Sequence, residues 1–443
     1  MGSKATSWVP PNRWASLQAG LGLAAFCVLL VGPMLIAPGF WLAFWRQTLA
    51  SGFVAAAIWR VVIVLSARRP PSPPALADDG LPAYTVIAPL YDEAAMVDQL
   101  VRSLDALDYP RDRLQIILVL EENDAATQAG VSGRTLPPQF EVLIAPPGYP
   151  QTKPRACNIA LEHAAGELLT IYDAEDQPHP QQLREAAARF AAGPPNLGCL
   201  QAPLRITNSG GFLRAQFANE YAAQFELLLP AMARLGLPFP LGGTSNHLRT
   251  AALRDVGGWN PYNVTEDADL GFRLAAAGWK LDVLNAPTRE NAPVRLYDWL
   301  PQRSRWLKGY LQTLLRHLPR AGEDWRLAVA IVATIGLALT SALVHLPAFM
   351  WLTTYALFWL LGGPGPSLTT LDLIALLGGW TGAAAAGAIG AKRAGLPVRL
   401  RDALLAPLYW PLLTVAGVQA VWRWVAEPHR WDKTEHQPWL APA

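Results

Sequence analysis

The chain has 443 residues, 52% of them hydrophobic and 16% charged, with a formal net charge of +2. A charged fraction well below the roughly 25% of an ordinary soluble domain excludes a wholly soluble protein, and near-neutrality without a long basic block argues against a nucleic-acid partner. Three cysteines, Cys27, Cys157 and Cys199, stand far apart with no CxxC pair, which argues against a disulfide framework or a zinc site.

The scarcity of charge is local. Trp14 to Trp45, Gln47 to Ala67 (interrupted by Arg60), Leu327 to Thr370, Leu373 to Ala391 and Ala403 to Trp422 carry almost none. These runs are of the length, about 20 residues, that a helix needs to cross a bilayer. Residues 1–67 are expected to form two transmembrane helices, and Arg68 and Arg69 after them favour a cytosolic exit. A Pro-rich linker, 68–82, leads into a soluble domain at 83–325, and 326–425 return to the membrane before a tail at 426–443.

The stretch from Leu327 to Thr370 is long enough for two helices broken near His345 and Pro347, which gives six in all. Two further crossings after it would carry Lys392, Arg393, Arg399 and Arg401 to the outer face, against the positive-inside rule. An interfacial or re-entrant segment would keep those charges inside.

Within the soluble part "YTVIAPL" (84–90) reads as a strand, and Val97, Leu100, Val101, Leu104 and Leu107 recur at helical spacing. "LQIILVL" and "FEVLIAP" are further strands, "ACNIALEHAAG" a helix, and "ELLTIYDAED" a strand entering an acidic turn. This alternation predicts an α/β fold, a mainly parallel sheet covered by helices. Ligands of such sheets bind beyond the carboxyl ends of the strands, where the sequence sets Asp92 and Glu93, Glu121 and Glu122, and Asp173, Glu175 and Asp176.

An acidic turn after a strand is by itself usually a solvated cap. Acids at three successive strand ends instead suit a hard divalent cation, Mg2+ or Mn2+, held by one or two carboxylates and by substrate phosphates. No GxxxxGK[ST] loop is present to hold a triphosphate. A nucleoside diphosphate bound through a metal is the better reading.

Four motifs in order, "LEEND", "DAED", "TED" (265–267) and Q-x-x-R-W at Gln302, Arg305 and Trp306, make the chain resemble the membrane-embedded family-2 glycosyltransferases of cellulose synthase-like type. The resemblance implies a cytosolic, GT-A-like nucleotide-sugar domain inserted between N- and C-terminal transmembrane helices, in a multi-pass protein of the cell membrane, in bacteria the inner one. Glu121 and Glu122 would read the uracil of a UDP-sugar. Glu93, Lys153, Asp173 and Arg305 would complete the donor site, and Asn158 matches the family's asparagine beyond the lysine. Asp173 and Glu175, or Asp176 in place of Glu175, would hold the metal.

Asp267 matches the catalytic base, although "TED" also reads as a helix start capped by Thr265. Gln302, Trp306, Glu266 and the Gly-rich "GGTSNHLR", with Ser245, Asn246 and His247, would face the acceptor; His247 reads equally as a structural histidine. Trp306, Arg303 and Lys308 could alternatively be interfacial anchors. Trp431, Lys433 and Thr434 in "HRWDKTEH" resemble a gating loop. The implied activity is inverting transfer from a UDP-sugar, UDP-glucose first, onto a growing β-linked oligosaccharide or polysaccharide exported through the bilayer with accessory secretion subunits. The alternative is addition of one sugar to a polyprenyl phosphate or glycolipid.

Overall fold

A computed structural model of the chain describes residues 28, 32, 35–322, 324–363 and 368–428. Most of the first expected N-terminal helix, and the proposed gating residues Trp431, Lys433 and Thr434, lie outside the described residues.

The soluble part is a mixed α/β domain. Parallel strands β1 (Tyr84–Leu90), β2 (Leu114–Glu121), β3 (Phe140–Ala145) and β4 (Leu168–Ile171) lie in the order β3-β2-β1-β4. The sheet continues through β8 (Asn246–Arg249), antiparallel to its neighbours, to β6 (Leu197–Gln201) and β9 (Lys280–Val283). A second sheet joins β5 (Gln177–Pro178), β10 (Thr288–Glu290) and β7 (Leu204–Ile206).

Alternate residues of the central strands face two separate cores, as a sheet covered on both sides requires. Ile87, Ile117 and Val119 point into one core, and Val86, Ala88, Ile116 and Leu118 into the other. The chain order turns back between β1 and β4, so a crevice opens beyond their carboxyl ends.

Covering helices are α2 (Val97–Asp105), α3 (Ala125–Ser132), α4 (Lys153–His163), α5 (Gln182–Ala192), α6 (Phe212–Ala223), α7 (Leu229–Arg234), α8 (Thr250–Asp255), α9 (Glu266–Ala276) and α10 (Leu296–His317). A π-helical turn, Gln224–Leu228, joins α6 to α7. Beside the domain stand α1 (Pro38–Ser66), α11 (Trp325–Leu360), α12 (Thr370–Arg393) and α13 (Leu400–Ala426), the four described helices long and apolar enough to cross a membrane. The protein is a multi-pass membrane protein with its soluble domain between the N- and C-terminal helices.

The membrane part differs from expectation in two ways. Leu327 to Thr370 does not divide into two helices, because α11 runs unbroken through Pro347. Proline is tolerated in such helices, whose neighbours re-satisfy the freed backbone. The C-terminal helices therefore number three among the described residues, where four were expected.

Both ends of α13 are tied to the soluble domain. Gln216 donates to the Asp402 carbonyl at 2.6 Å, Lys308 to that of Glu427 at 3.2 Å, and Gln312 to that of Pro428 at 2.8 Å. Between them Trp299 Nε1 donates to the Tyr409 hydroxyl at 3.2 Å. So α13 lies along α10 on the domain's membrane side. Arg393 donates to the carbonyl of Ala67, next to Arg68 and Arg69, at 2.8 Å. The basic residues around the α12–α13 turn thus stay on the domain's side, as the interfacial alternative anticipates.

Helices α9 and α10 are locked by one buried carboxylate. Asp269 accepts from Arg273 Nε at 2.7 Å and bonds His317 Nε2 at 2.9 Å, with Arg316 at 3.4 Å. Burial opposes its charge, but His317 and the arginines outweigh it and hold its pKa down at about 2. Asp269→Asn should therefore destabilise the soluble domain by about 3–5 kcal/mol, the usual cost of breaking a buried ion pair. Denaturant unfolding of the purified protein checks this; an unchanged midpoint would mean that the helices are held by packing alone.

Candidate active site

The crevice contains a cavity of about 270 Å³. Of the residues singled out in the sequence, Glu93, Glu121, Lys153, Asp173, Glu175, Glu266, Asp267, Gln302, Arg305 and Trp306 line it. Strand ends deliver the first acids. Beyond β1, Asp92 adopts a left-handed φ of 53° with its N–H on the Asp124 carboxylate, and Glu93 is turned inward with its N–H on Thr127 Oγ1 at 3.0 Å. Glu121 closes β2, buried, with Arg155 3.6 Å away; burial raises its pKa against the pull of that arginine.

Helix α4 opens on Lys153, whose ammonium pairs with Asp173 and donates to the Gly243 carbonyl at 2.7 Å. Burial works against that ammonium, yet Asp173 and Glu266 outweigh it and its pKa is raised. A Cβ on Gly243 would stand 3.5 Å from Asp267 Oδ2. The bare glycine thus floors the site between the lysine and the candidate base.

Helix α9 begins with Glu266 and Asp267 immediately after Thr265. Thr265 occupies the N-cap position but its side chain caps no N–H; its hydroxyl reaches Asn263 Oδ1 at 3.4 Å instead. Burial raises the pKa of both acids, and the neighbouring Asp267 pushes Glu266 further, to about 8. The loop before them is fastened to α10. Val264 N–H donates to Gln312 at 3.2 Å, Asn263 to Thr313 at 2.9 Å, and Arg305 to the Val264 carbonyl at 3.4 Å.

Along α10, Gln302, Arg305, Trp306 and Tyr310 fall on one face, as their spacing requires. Gly309 lies against Thr265, so closely that any Cβ there would overlap the threonine side chain. Arg303 is buried rather than anchored in lipid headgroups. It pairs with Glu220 at 2.7 Å, and its guanidinium stands 4.4 Å from the Trp306 ring centroid and 4.6 Å from that of Phe217. Lys308 is buried as well.

Several expected contacts are not brought to the cavity. Glu122 points to solvent. Asp176 is fully buried, accepting from the Asp173 N–H at 2.6 Å and from the Thr244 hydroxyl, so it folds the acidic turn. Asn158 brackets the backbone of Trp259. Ser245, Asn246 and His247 belong to the sheet interior. Ser245 bonds Thr288 at 2.6 Å, Asn246 donates to the Gly242 carbonyl at 2.6 Å, and His247 lies between Tyr84 (2.6 Å) and Gln182 (3.1 Å). Burial lowers the His247 pKa to about 3, so the ring is neutral.

Sequence reasoning missed Glu290, Tyr221, Gln224 and Tyr310, which also line the cavity. Tyr310 was legible from its α10 spacing. Glu290 ends a three-residue strand and carried no pattern.

Burial, with the charges of Asp176, Glu175 and Asp173, raises the Glu290 pKa well above its ordinary value. One oxygen each of Asp176 and Glu290 is buried without a hydrogen-bond partner. Asp173, Glu175 and Glu290, which line the cavity, offer the oxygen donors that a hard cation takes. Among the described residues no three acids, histidines or cysteines converge as a metal cage, so the fit is to a cation completed by donor phosphates.

The model of glycosyl transferase family group 2 matches residues 168–389, and the chain belongs to that family. Among curated relatives, the beta-monoglucosyldiacylglycerol synthase of Synechocystis sp. is 27% identical over 66% of this chain and 61% of its own length. The cellulose synthase 1 catalytic subunit of Komagataeibacter xylinus is 24% identical over 65% of this chain and 38% of its own. The chain thus spans less than two thirds of either relative. Among solved structures, the mannosyltransferase PcManGT from Pyrobaculum calidifontis, in complex with GDP-Man and Mn2+, superposes with a TM-score of 0.52 at 17% identity, covering 85% of this chain and 98% of that one. The fold is GT-A-like.

Two outcomes are expected. Gly309→Ala should push α10 from Thr265 and lower turnover by about 100-fold through misplacement, with the protein still folded; wild-type turnover would show that this contact does not set the carboxylates. Between the unfolded value of about 4.3 and about 8, folded Glu266 keeps a proton that the unfolded chain has released. Its contribution to stability therefore falls as pH rises through that window. Glu266→Gln should flatten the decline in melting temperature between about pH 5 and about pH 8; an identical decline would remove the assignment.

Proposed function

We propose that the protein transfers one sugar from a UDP-sugar to the hydroxyl of a membrane lipid, by a single inverting displacement at the cytosolic face. The observation that carries the reading is that Asp267 shares one cavity with Asp173, Glu175, Lys153 and Arg305, and that the cavity is walled by α6 and α10, which pack against membrane-side α13.

Asp173 and Glu175 would hold a divalent cation, which when bound supplies charge against the developing UDP. Lys153 and Arg305 add fixed positive charge from the protein itself, and the guanidinium fork suits phosphate oxygens. Glu121, which also lines the cavity, would receive the nucleobase. Asp267 takes the proton of the attacking hydroxyl. Burial raises its pKa, which strengthens it as a base. Trp306, steadied by Arg303 and near Phe217 and Tyr221, offers a flat face to the acceptor.

A carboxylate base is useful to a hydroxyl acceptor. A phosphate acceptor is already anionic, needs no deprotonation and would be repelled by Asp267. This favours a diacylglycerol or glycolipid hydroxyl over polyprenyl phosphate, in line with the lipid named for the Synechocystis relative. Against the polymer reading, the large cavity among the membrane helices is lined mostly by apolar side chains, a poor surface for a polysaccharide.

Vesicles containing diacylglycerol, supplied with a UDP-sugar panel and Mg2+ or Mn2+, should yield a singly glycosylated lipid by mass spectrometry. Asp267→Asn should cut turnover by about 100- to 10,000-fold with UDP-sugar binding retained. A water-soluble polymer as the product would overturn the lipid reading, and undiminished turnover in the variant would remove Asp267 as base.

A further inference from the structure

A second cavity, of about 1140 Å³, opens among α1, α6, α11, α12 and α13 and shares no lining residue with the first. It exceeds the roughly 300–1,000 Å³ of a small-molecule site. Its walls are mostly apolar, including Phe53, Phe349, Leu352, Trp380 and Trp410. Into it faces Arg60, six residues before the end of α1, hence about 9 Å inside the helix terminus. Such a charge at membrane depth marks a site more often than a structural accident.

The two acids of the lining are already engaged. Glu220 holds Arg303 at 2.7 Å and the Tyr409 hydroxyl at 2.9 Å, and Asp402 lies 3.3 Å from Arg401. By contrast, the guanidinium groups of Arg60 and Arg399 make no hydrogen bond or ion pair among the described residues. The cavity is thus greasy, set among membrane helices and left with uncompensated positive charge.

We propose that it holds an anionic phospholipid of the surrounding bilayer, with acyl chains between α1, α11 and α12 and the phosphate on Arg60. A zwitterionic headgroup would bring an ammonium to a site whose acids are taken. The lipid is distinct from the sugar acceptor, because the catalytic carboxylates lie beyond α6. Occupancy is coupled to catalysis through one side chain: Glu220 lines the lipid cavity and fixes Arg303, which stands over Trp306 in the active site. Arg60 is on this account a positioning residue.

The test uses the full-length protein with phosphatidylglycerol and phosphatidylcholine. Native mass spectrometry of detergent-purified wild type should show phosphatidylglycerol retained in preference to phosphatidylcholine. In vesicles at saturating acceptor, adding phosphatidylglycerol to phosphatidylcholine should raise kcat several-fold with little change in donor KM. Arg60→Gln should lose both effects while keeping the rate seen in pure phosphatidylcholine, and Arg60→Lys should restore most of them. Equal retention of the two lipids by wild type, which needs no variant to fold, would overturn the proposal, as would an unaltered phosphatidylglycerol response in Arg60→Gln. Sugar transfer in pure phosphatidylcholine vesicles reads out the proposed function separately, so either idea can fail alone.

Discussion

The site depends on how closely α9 and α10 can approach. Gly309 lets the backbone of α10 rest on Thr265, the residue before Glu266 and Asp267, and Asp269 seals the same pair of helices with a histidine and two arginines. The two contacts set Glu266 and Asp267 on one side of a narrow space and Gln302, Arg305 and Trp306 on the other. Because α10 also carries α13 along its length, the geometry of the carboxylates is continuous with the membrane-facing surface.

Electrostatics explains why such rigidity is useful. The crevice gathers Glu93, Glu121, Asp173, Glu175, Glu266, Asp267 and Glu290 against Lys153 and Arg305. In this buried space, burial together with like charge drives the pKa values of Glu266 and Glu290 upward. A cation and a diphosphate entering together add both signs of charge, so the site suits the pair better than either alone. The same burial that makes the carboxylates costly to ionise suits Asp267 to the base role proposed for it.

Much of this was legible in the sequence. The short apolar runs of β1, β2 and β3, and the acids closing three strands, made both the sheet and the crevice readable, since strand-length apolar runs and strand-end chemistry are local. Gln302, Arg305 and Trp306 were readable because one helical turn brings them together. What escaped reading was set by distant contacts. Ser245 and Asn246 look polar and available, yet the pairing of β8 between β4 and β6 buries them, along with His247, whose structural alternative holds. Proline at 347 breaks soluble helices but not this one. The length of α13 said that it could span a bilayer; only its hydrogen bonds to Gln216, Lys308 and Gln312 show that both ends stay with the soluble domain. The π turn at 224–228, which brings Gln224 and Phe225 to the cavity, has no sequence signature.

The most direct measurement is an experimental structure of the protein with a UDP-sugar and Mg2+ or Mn2+. The diphosphate should lie between Asp173 and Arg305, with the Asp267 carboxylate on the side of the anomeric carbon opposite the leaving UDP. A donor seated with its diphosphate against Asp267, or outside the crevice altogether, would contradict that placement.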